Sequence, residues 1–281
     1  MIDATDLSSI ETEVRDLIGE ETARLWTQAR VFRAINAEVA RLIRKVLDLD
    51  SGYLETSKTY TASSSLSLPT NCYAVRNIEA YIDGAYYPLR WIEDHEQGQY
   101  QVLGASSALP QTARFVGSTV YIESGTGASS YRIQYARIPP AMLYSAVSSA
   151  TSTSFTLPVG SYFDDVYTGD VFAVLGGLGV GQYRTVTSYT PSTFTWTVGT
   201  WTTTPDATST IGTLLPDPLN KYGEVVALGT AIRLLGRRRD TELADHLLSQ
   251  YAADLGDMME SLKQRQTDQP ARVNYIPDGL E

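Results

Sequence analysis

The side chains with the most obvious chemical potential are Glu93, Asp94, His95 and Glu96, a run of carboxylates and imidazole of the types that ligate metals. Neighbouring residues on a helix point about 100° apart, so this run cannot converge on one ion, and it reads as surface chemistry without a metal. The other histidine, His246, has Asp245 beside it, but neither histidine comes with a nucleophile of the Gly-x-Ser-x-Gly kind. Gly177-Leu178-Gly179-Val180-Gly181 has the small residues of a phosphate loop. A dinucleotide fingerprint needs a helix next and an acid further on, whereas Gln182-Tyr183-Arg184-Thr185-Val186 has the character of a strand. A hairpin or bulge is the expectation there. Asp164, Asp165 and Asp170 could supply calcium ligands, yet their spacing does not fit a helix–loop–helix site, which leaves polar turn residues. No acid pair stands in a cleft-forming context suited to glycoside cleavage. The sequence nominates no catalytic residue, no metal ligand and no cofactor.

Binding chemistry is better represented. Tyr162, Phe163, Tyr167, Tyr183, Tyr189, Trp196 and Trp201 crowd one stretch, where they could form a flat platform for a sugar or fill the core of a small β module. The basic run Arg237-Arg238-Arg239 follows Leu234-Leu235-Gly236 and precedes Asp240 and Glu242, so it is a solvated helix junction with local ion pairs and, at the same time, a candidate contact. A net charge of −10 makes the surface as a whole repel nucleic acid and suits a conduit through which DNA slides without sticking.

The elements that would position these residues follow from periodicity. A Ser8-Ser9-Ile10-Glu11 capping box opens a first helix with Ile10, Val14, Leu17 and Ile18 on its apolar face, and Gly19 stops it. From near Thr27 to Leu47, Val31, Ile35, Val39, Leu42, Ile43 and Val46 recur at helical spacing, with Arg33, Glu38, Arg41 and Lys45 on other faces. From Tyr53 to Tyr144 the period changes to two. Short strands are expected around Tyr60, Leu66-Ser67-Leu68, Ala74 to Ile78, Tyr81-Ile82, Tyr86-Tyr87 and Trp91-Ile92, and Asp83-Gly84 marks a hairpin turn. Glu93 to Tyr100 could make a helical turn. A second hairpin-like set, Arg114 to Val116, Thr119 to Ile122 and Tyr131 to Tyr135, is closed by Pro139-Pro140.

Residues 146–213 then interrupt the pattern with a Gly-, Thr-, Ser- and Tyr-rich β segment. Beyond it, Leu215-Pro216-Asp217-Pro218 leads into a helix with Val225, Val226, Leu228, Ile232 and Leu235 on one stripe. Leu243, Leu247, Tyr251, Leu255, Met258, Met259 and Leu262 continue the stripe after a break or kink at Gly236. The predicted fold class is α+β. A discontinuous host, 1–145 with 214–265, combines a helical bundle and a small antiparallel sheet. The inserted module at 146–213 is a small β-barrel or sandwich, and 266–281 is an extended arm.

With 281 residues, 43% apolar and 19% charged, the chain has the material for a packed core and one large or two unequal domains. Cys72 is alone, so no intrachain disulfide forms and a disulfide scaffold is excluded. Asp3, Asp6, Glu11 and Glu13 replace the basic and apolar regions of a signal peptide, and no apolar run approaches the roughly 18 residues of a membrane span. Neither export nor membrane insertion is expected.

Two resemblances follow from particular residues. Gly169-Asp170, Gly179, Gly181-Gln182-Tyr183-Arg184, Tyr189, Thr197-Val198, Trp201 and Pro205-Asp206 resemble small β modules of tailed-bacteriophage virion proteins. Leu68-Pro69 before Val75 and Ile78, the strand from Tyr131 through Arg137 to Pro139-Pro140, and Leu215-Pro216-Asp217 entering a helix with Ala231 resemble the head-to-tail connector, or adaptor, proteins of tailed phages. That resemblance implies a non-enzymatic virion protein of the neck, assembled in the host cytoplasm. It implies a ring, dodecameric in the family, that sits below the portal protein, extends the DNA channel and gives the tail or tail hub a docking platform. Double-stranded DNA would pass through without sequence-specific binding, and no membrane is involved. It also implies an arm that grips a neighbour or the portal, for which the candidate contacts are Arg272, Val273, Tyr275 and Ile276 together with Arg237, Arg238 and Arg239. The large insert departs from minimal members. The competing expectation is a tail- or fibre-associated binding module that recognises a glycan or another virion protein.

A ring needs two different complementary surfaces on each protomer. The outer helices carry more apolar positions than a lone hairpin covers, and burying them on each other or on a neighbour, at about 25 cal/mol per Å², could drive assembly.

Overall fold

The computed structural model describes residues 6–20, 25–49, 52–92, 112–123, 127–164, 166–238 and 241–267. The chain divides into two compact units, one of Met1–Tyr53 with Asp217–Glu281 and one of Leu54–Pro216. The class is α+β, as the change of period predicts.

The first unit is helical. Helix α1 spans Leu7–Leu17 and α2 spans Gln28–Asp48. The α1 cap differs from the expected one: the Asp6 carboxylate accepts from the Ser8 and Ser9 amides at 2.8 and 3.1 Å, and the Ser9 hydroxyl reciprocates to the Asp6 amide at 3.1 Å. An anionic acceptor at the amino end satisfies orphan amides and meets the positive pole of the helix, which a Ser8 hydroxyl would do less well. Gly19, at φ 65°, turns the chain out of the helix as its lack of a Cβ allows. In α2 the predicted stripe, Val31, Ile35, Val39, Leu42, Ile43 and Val46, is buried throughout.

After a short 3₁₀ turn at Leu219–Lys221, helix α3 spans Gly223–Arg238 and α4 spans Thr241–Thr267. Helix α3 packs against α1, α2 and α4, so most of its surface is covered, and Val225, Val226, Ala227, Leu228, Ala231, Leu234 and Leu235 are buried. Gly236 is not the break that its low helix propensity suggests. The helix runs through it to Arg238, since one exposed glycine costs only about 1 kcal/mol. Helix α4 buries Leu247, Tyr251, Met258 and Leu262. It extends to Thr267, so Gln266 and Thr267, expected as the start of the arm, are helical, and 268–281 lie outside the described residues.

The second unit is built of strands β1 Glu55–Thr61, β2 Ser65–Ser67, β3 Cys72–Ile82, β4 Ala85–Pro88, β5 Arg90–Trp91, β6 Thr112–Val116, β7 Thr119–Glu123 and β8 Ser130–Arg137, then β9 Tyr144–Ala146, β10 Ser149–Thr151, β11 Ser154–Thr156, β12 Val171–Gly176, β13 Tyr183–Thr190, β14 Thr195–Val198 and β15 Thr210–Thr213. Where one small sheet was expected before residue 146, there are two, each four-stranded, in the orders β1-β8-β3-β4 and β2-β7-β6-β5. The β5–β6 pair is parallel and the other pairings are antiparallel. Alternation in β8 sends Tyr131, Ile133 and Tyr135 into one shared core with Ile78, Ala80, Val120 and Leu66. The Asp83-Gly84 turn has φ of 47° and 88°, which is the type I′ geometry that the pair predicts for the β3–β4 hairpin.

Strands β9 to β15 form a seven-stranded sheet in the order β10-β11-β14-β13-β12-β15-β9. It is not the closed barrel that the sequence suggests. Only Val147 and Ser148 separate β9 from β10, with the Val147 amide donating to Ser209 and the Ser148 amide to Thr156. The two edges are therefore stretches of one continuous run. That run pairs with β15 through its first half and with β11 through its second. Register shifts between Val174 and Gly176 and between Val186 and Ser188 bend the sheet around its own core of Phe155, Phe172, Tyr167, Tyr189, Trp196 and Trp201.

Candidate functional site

The helical unit carries a groove between α2 and α3, of about 540 Å³, lined by Trp26, Arg30, Arg33, Ala34, Ala37, Arg233 and Arg237. Spacing builds it. Arg30, Arg33, Ala34 and Ala37 recur at three- and four-residue intervals on α2, and Arg233 and Arg237 do so on α3, so each helix turns one row of guanidinium groups toward the same hollow. Trp26 is held by its backbone: its amide donates to Glu20 Oε1 at 3.0 Å, and its carbonyl accepts from Arg15 Nη2 at 3.1 Å. Glu20 and Arg15 are buried, and Arg15 Nη2 also meets Glu11 Oε1 at 2.8 Å. Among the described residues no carboxylate lines the groove, and Arg30 and Arg237, both exposed, make no ion pair. A cluster of cations in which, among the described residues, only Arg233 meets an acid is, on a protein of net charge −10, an anion-accepting surface.

Beneath the groove lies a carboxylate that periodicity misassigns. Glu38 was expected on a polar face of α2, yet it is 1% exposed. Its Oε1 lies 2.5 Å from Arg41 Nη2, its Oε2 lies 3.4 Å from Arg233 Nη2, and the Tyr251 hydroxyl donates to it at 3.0 Å. Tyr251 also contacts the Arg41 guanidinium. Burial pushes the Glu38 carboxyl above its ordinary range, and the two arginines pull it back without cancelling that rise. Gly229 on α3 makes the space, since a Cβ there would come within 2.6 Å of Glu38 Cδ. The network ties α2, α3 and α4 together and sets the pose of Arg233 in the groove wall. The legible signals were Arg41 one turn beyond Glu38 and a glycine amid the large apolar residues of α3.

In the strand unit, the aromatic residues fall into two sets by burial. Tyr167, Tyr189, Trp196 and Trp201 are core, with Trp196 stacked on Phe155 at 5.3 Å between centroids. Burial pushes the Tyr189 phenol up to about 12. Tyr162, Phe163 and Tyr183 are 82%, 59% and 67% exposed and so remain open to a partner. The Gly177 to Gln182 segment is the tight β12–β13 connection, with Gly177, Gly179 and Gly181 at φ of 76°, 83° and 86°, as the hairpin reading requires. A Cβ on Gly177 would also come within 2.7 Å of the Ser209 backbone. Asp170 is engaged by protein: Arg137 Nη2 lies 2.7 Å from its carboxylate and Arg137 Nη1 donates to the Thr168 carbonyl at 3.2 Å. That pair joins the end of β8 to the start of β12.

Among the described residues no group of three or more histidine, cysteine or acidic side chains could hold a metal. His95 and its acidic neighbours, Asp165, Arg239, Arg272, Val273, Tyr275 and Ile276 lie outside the described residues. Arg238 falls within α3, and Arg237 reaches the groove. No described helix is long and apolar enough to cross a membrane.

A helical unit with a cationic groove and a strand unit with its own aromatic core and exposed aromatic rings define a protein of binding surfaces. The sequence model of the SU10 adaptor protein family matches residues 5–175, more than half of the chain. The chain belongs to that family. The match runs from α1 through both four-stranded sheets and ends within β12. Membership implies a phage adaptor, a structural protein of the virion neck that contacts other virion proteins. No curated protein matches the chain.

Proposed function

We propose that this protein is a head-to-tail adaptor that assembles into a closed, dodecameric ring below the portal, extends the DNA channel and gives the tail its docking platform. The observation that carries this reading is the family match over residues 5–175. The helical unit supplies the ring body, because a heterologous contact between different faces of one protomer, repeated with closing rotation, generates cyclic symmetry. Double-stranded DNA passes through without base-specific contacts, in keeping with the net charge of −10.

Residues 146–213 act as a module inserted into the host. The support is that the seven-stranded sheet draws its strands from Tyr144 to Thr213, with a hydrophobic cluster distinct from that of the preceding sheets. Tyr162, Phe163 and Tyr183 are its contact rings, toward a tail protein or, in the competing reading, a glycan. The arm beyond α4, with Arg272, Val273, Tyr275 and Ile276, binds the portal or a neighbouring protomer.

Native mass spectrometry of the full chain, alone and with the portal protein of the same phage, tests the proposal. A defined high-order ring or a portal complex is expected. A monomer that ignores portal and binds oligosaccharide refutes it in favour of the glycan-binding module.

A further inference from the structure

Helix α4 carries the opposite charge to the groove, and it carries it outward. At about 100° per residue, Glu260 projects from the side opposite Leu247, Tyr251, Met258 and Leu262, the residues that α4 buries on its own unit, and Asp257 projects from the flank, about 60° from Glu260. Glu242 and Asp245 share that outward side and are exposed too. They lie near the amino-terminal turn, where negative charge serves the helix itself. Asp257 and Glu260 lie beyond that turn, one helical turn apart and exposed. A row that faces away from its own helices cannot fold back into the groove between α2 and α3 of the same chain.

We propose that the groove formed by Arg30, Arg33, Arg233 and Arg237 receives the α4 face bearing Asp257 and Glu260 from a second copy of this chain. The inference rests on the ring proposed above and names the two surfaces that make its contact. Charge complementarity selects the occupant: among the described residues the exposed Arg30 and Arg237 have no acid of their own, and the acidic row is opposite to them in sign on every copy. The two faces are different surfaces, so the contact is heterologous and propagates from copy to copy. Guanidinium forks accept carboxylates through paired N–H donors, which sets register as well as attraction.

The test is sedimentation velocity of the full chain at low and high salt, with Arg30→Glu/Arg237→Glu, with Asp257→Lys/Glu260→Lys, and with the two variants mixed. None of the four positions belongs to the Glu38 network. Each variant alone is expected to associate about tenfold more weakly or worse than the native chain, because like charges then face each other. High salt is expected to weaken the native contact, since exposed pairs are screened within about 10 Å at 0.1 M. Mixing the variants restores association, because each reversed groove then meets a reversed helix on the other partner; a misfolded variant would not recover. Native-like association by both variants overturns this contact and leaves the ring standing. A native chain that stays monomeric at low salt, both alone and with the portal protein of the same phage, overturns both. A monomer whose groove binds a duplex oligonucleotide, with binding lost in Arg30→Glu/Arg237→Glu, overturns the choice of occupant.

Discussion

Replacing Asp170 by Asn tests whether burial or pairing governs the junction between β8 and β12. The Asp170 side chain is 12% exposed and lies 2.7 Å from Arg137 Nη2, a geometry that by itself would hold the carboxyl low. Burial nevertheless prevails and pushes it from 3.8 to about 6, with Arg137 opposing. A carboxyl whose folded pKa exceeds its unfolded one contributes stability that is complete below 3.8 and is lost as pH rises through about 6. The gap between 3.8 and about 6, at about 1.4 kcal/mol per pH unit, amounts to about 3 kcal/mol. Asparagine keeps the shape and cannot titrate. Unfolding in urea, followed by the fluorescence of the buried Trp196 and Trp201, gives the free energy for the native chain and for Asp170→Asn at each pH. The native value minus the variant value should fall by about 2–3 kcal/mol between about pH 4 and about pH 7. The subtraction removes groups common to both chains. A difference that stays flat, or that grows with pH, would mean that the Arg137 pair outweighs burial and would refute the reasoning.

Four further outcomes follow from packing and titration. Trp196→Ala should destabilise the strand unit by about 3–5 kcal/mol in the same urea assay, because it empties the centre of the aromatic cluster. Trp196→Phe should cost less, because the phenyl ring refills most of the space while removing, as alanine does, an indole N–H that is buried without a partner among the described residues. Gly229→Ala should cost the helical unit about 1–3 kcal/mol by thermal melting, because the new methyl group meets the buried Glu38 carboxylate. Glu38→Gln should flatten the pH dependence of helix melting by circular dichroism. The Glu38 pKa is raised, so the contribution of its protonated form is complete below 4.5 and is lost as pH rises through the folded value.

Much of the fold was legible in the sequence because single-face burial leaves a period. Val31 to Val46 on α2, the β8 alternation and the Asp83-Gly84 turn each follow from one local rule. What escaped depends on several elements at once. Glu38 reads as polar in its own helix and is buried because α3 and α4 close over it, which no period in α2 encodes. The strands before residue 146 form two sheets instead of one because pairing such as β2 with β7 joins distant segments. The two ends of the seven-stranded sheet meet in one run because β9 and β10 are continuous, a matter of register and not of composition. For the candidate site, the basic run pointed to Arg237, while Trp26, Arg30, Arg33 and Arg233 needed the α2–α3 packing to bring them together.

Electron cryomicroscopy of intact particles of the phage that encodes this protein tests the central claim most directly. The account predicts a closed ring of identical copies at the neck, in contact with the portal on one side and the tail on the other. Density for this polypeptide at the tail tip or the fibres, or as isolated copies away from the portal, would contradict it.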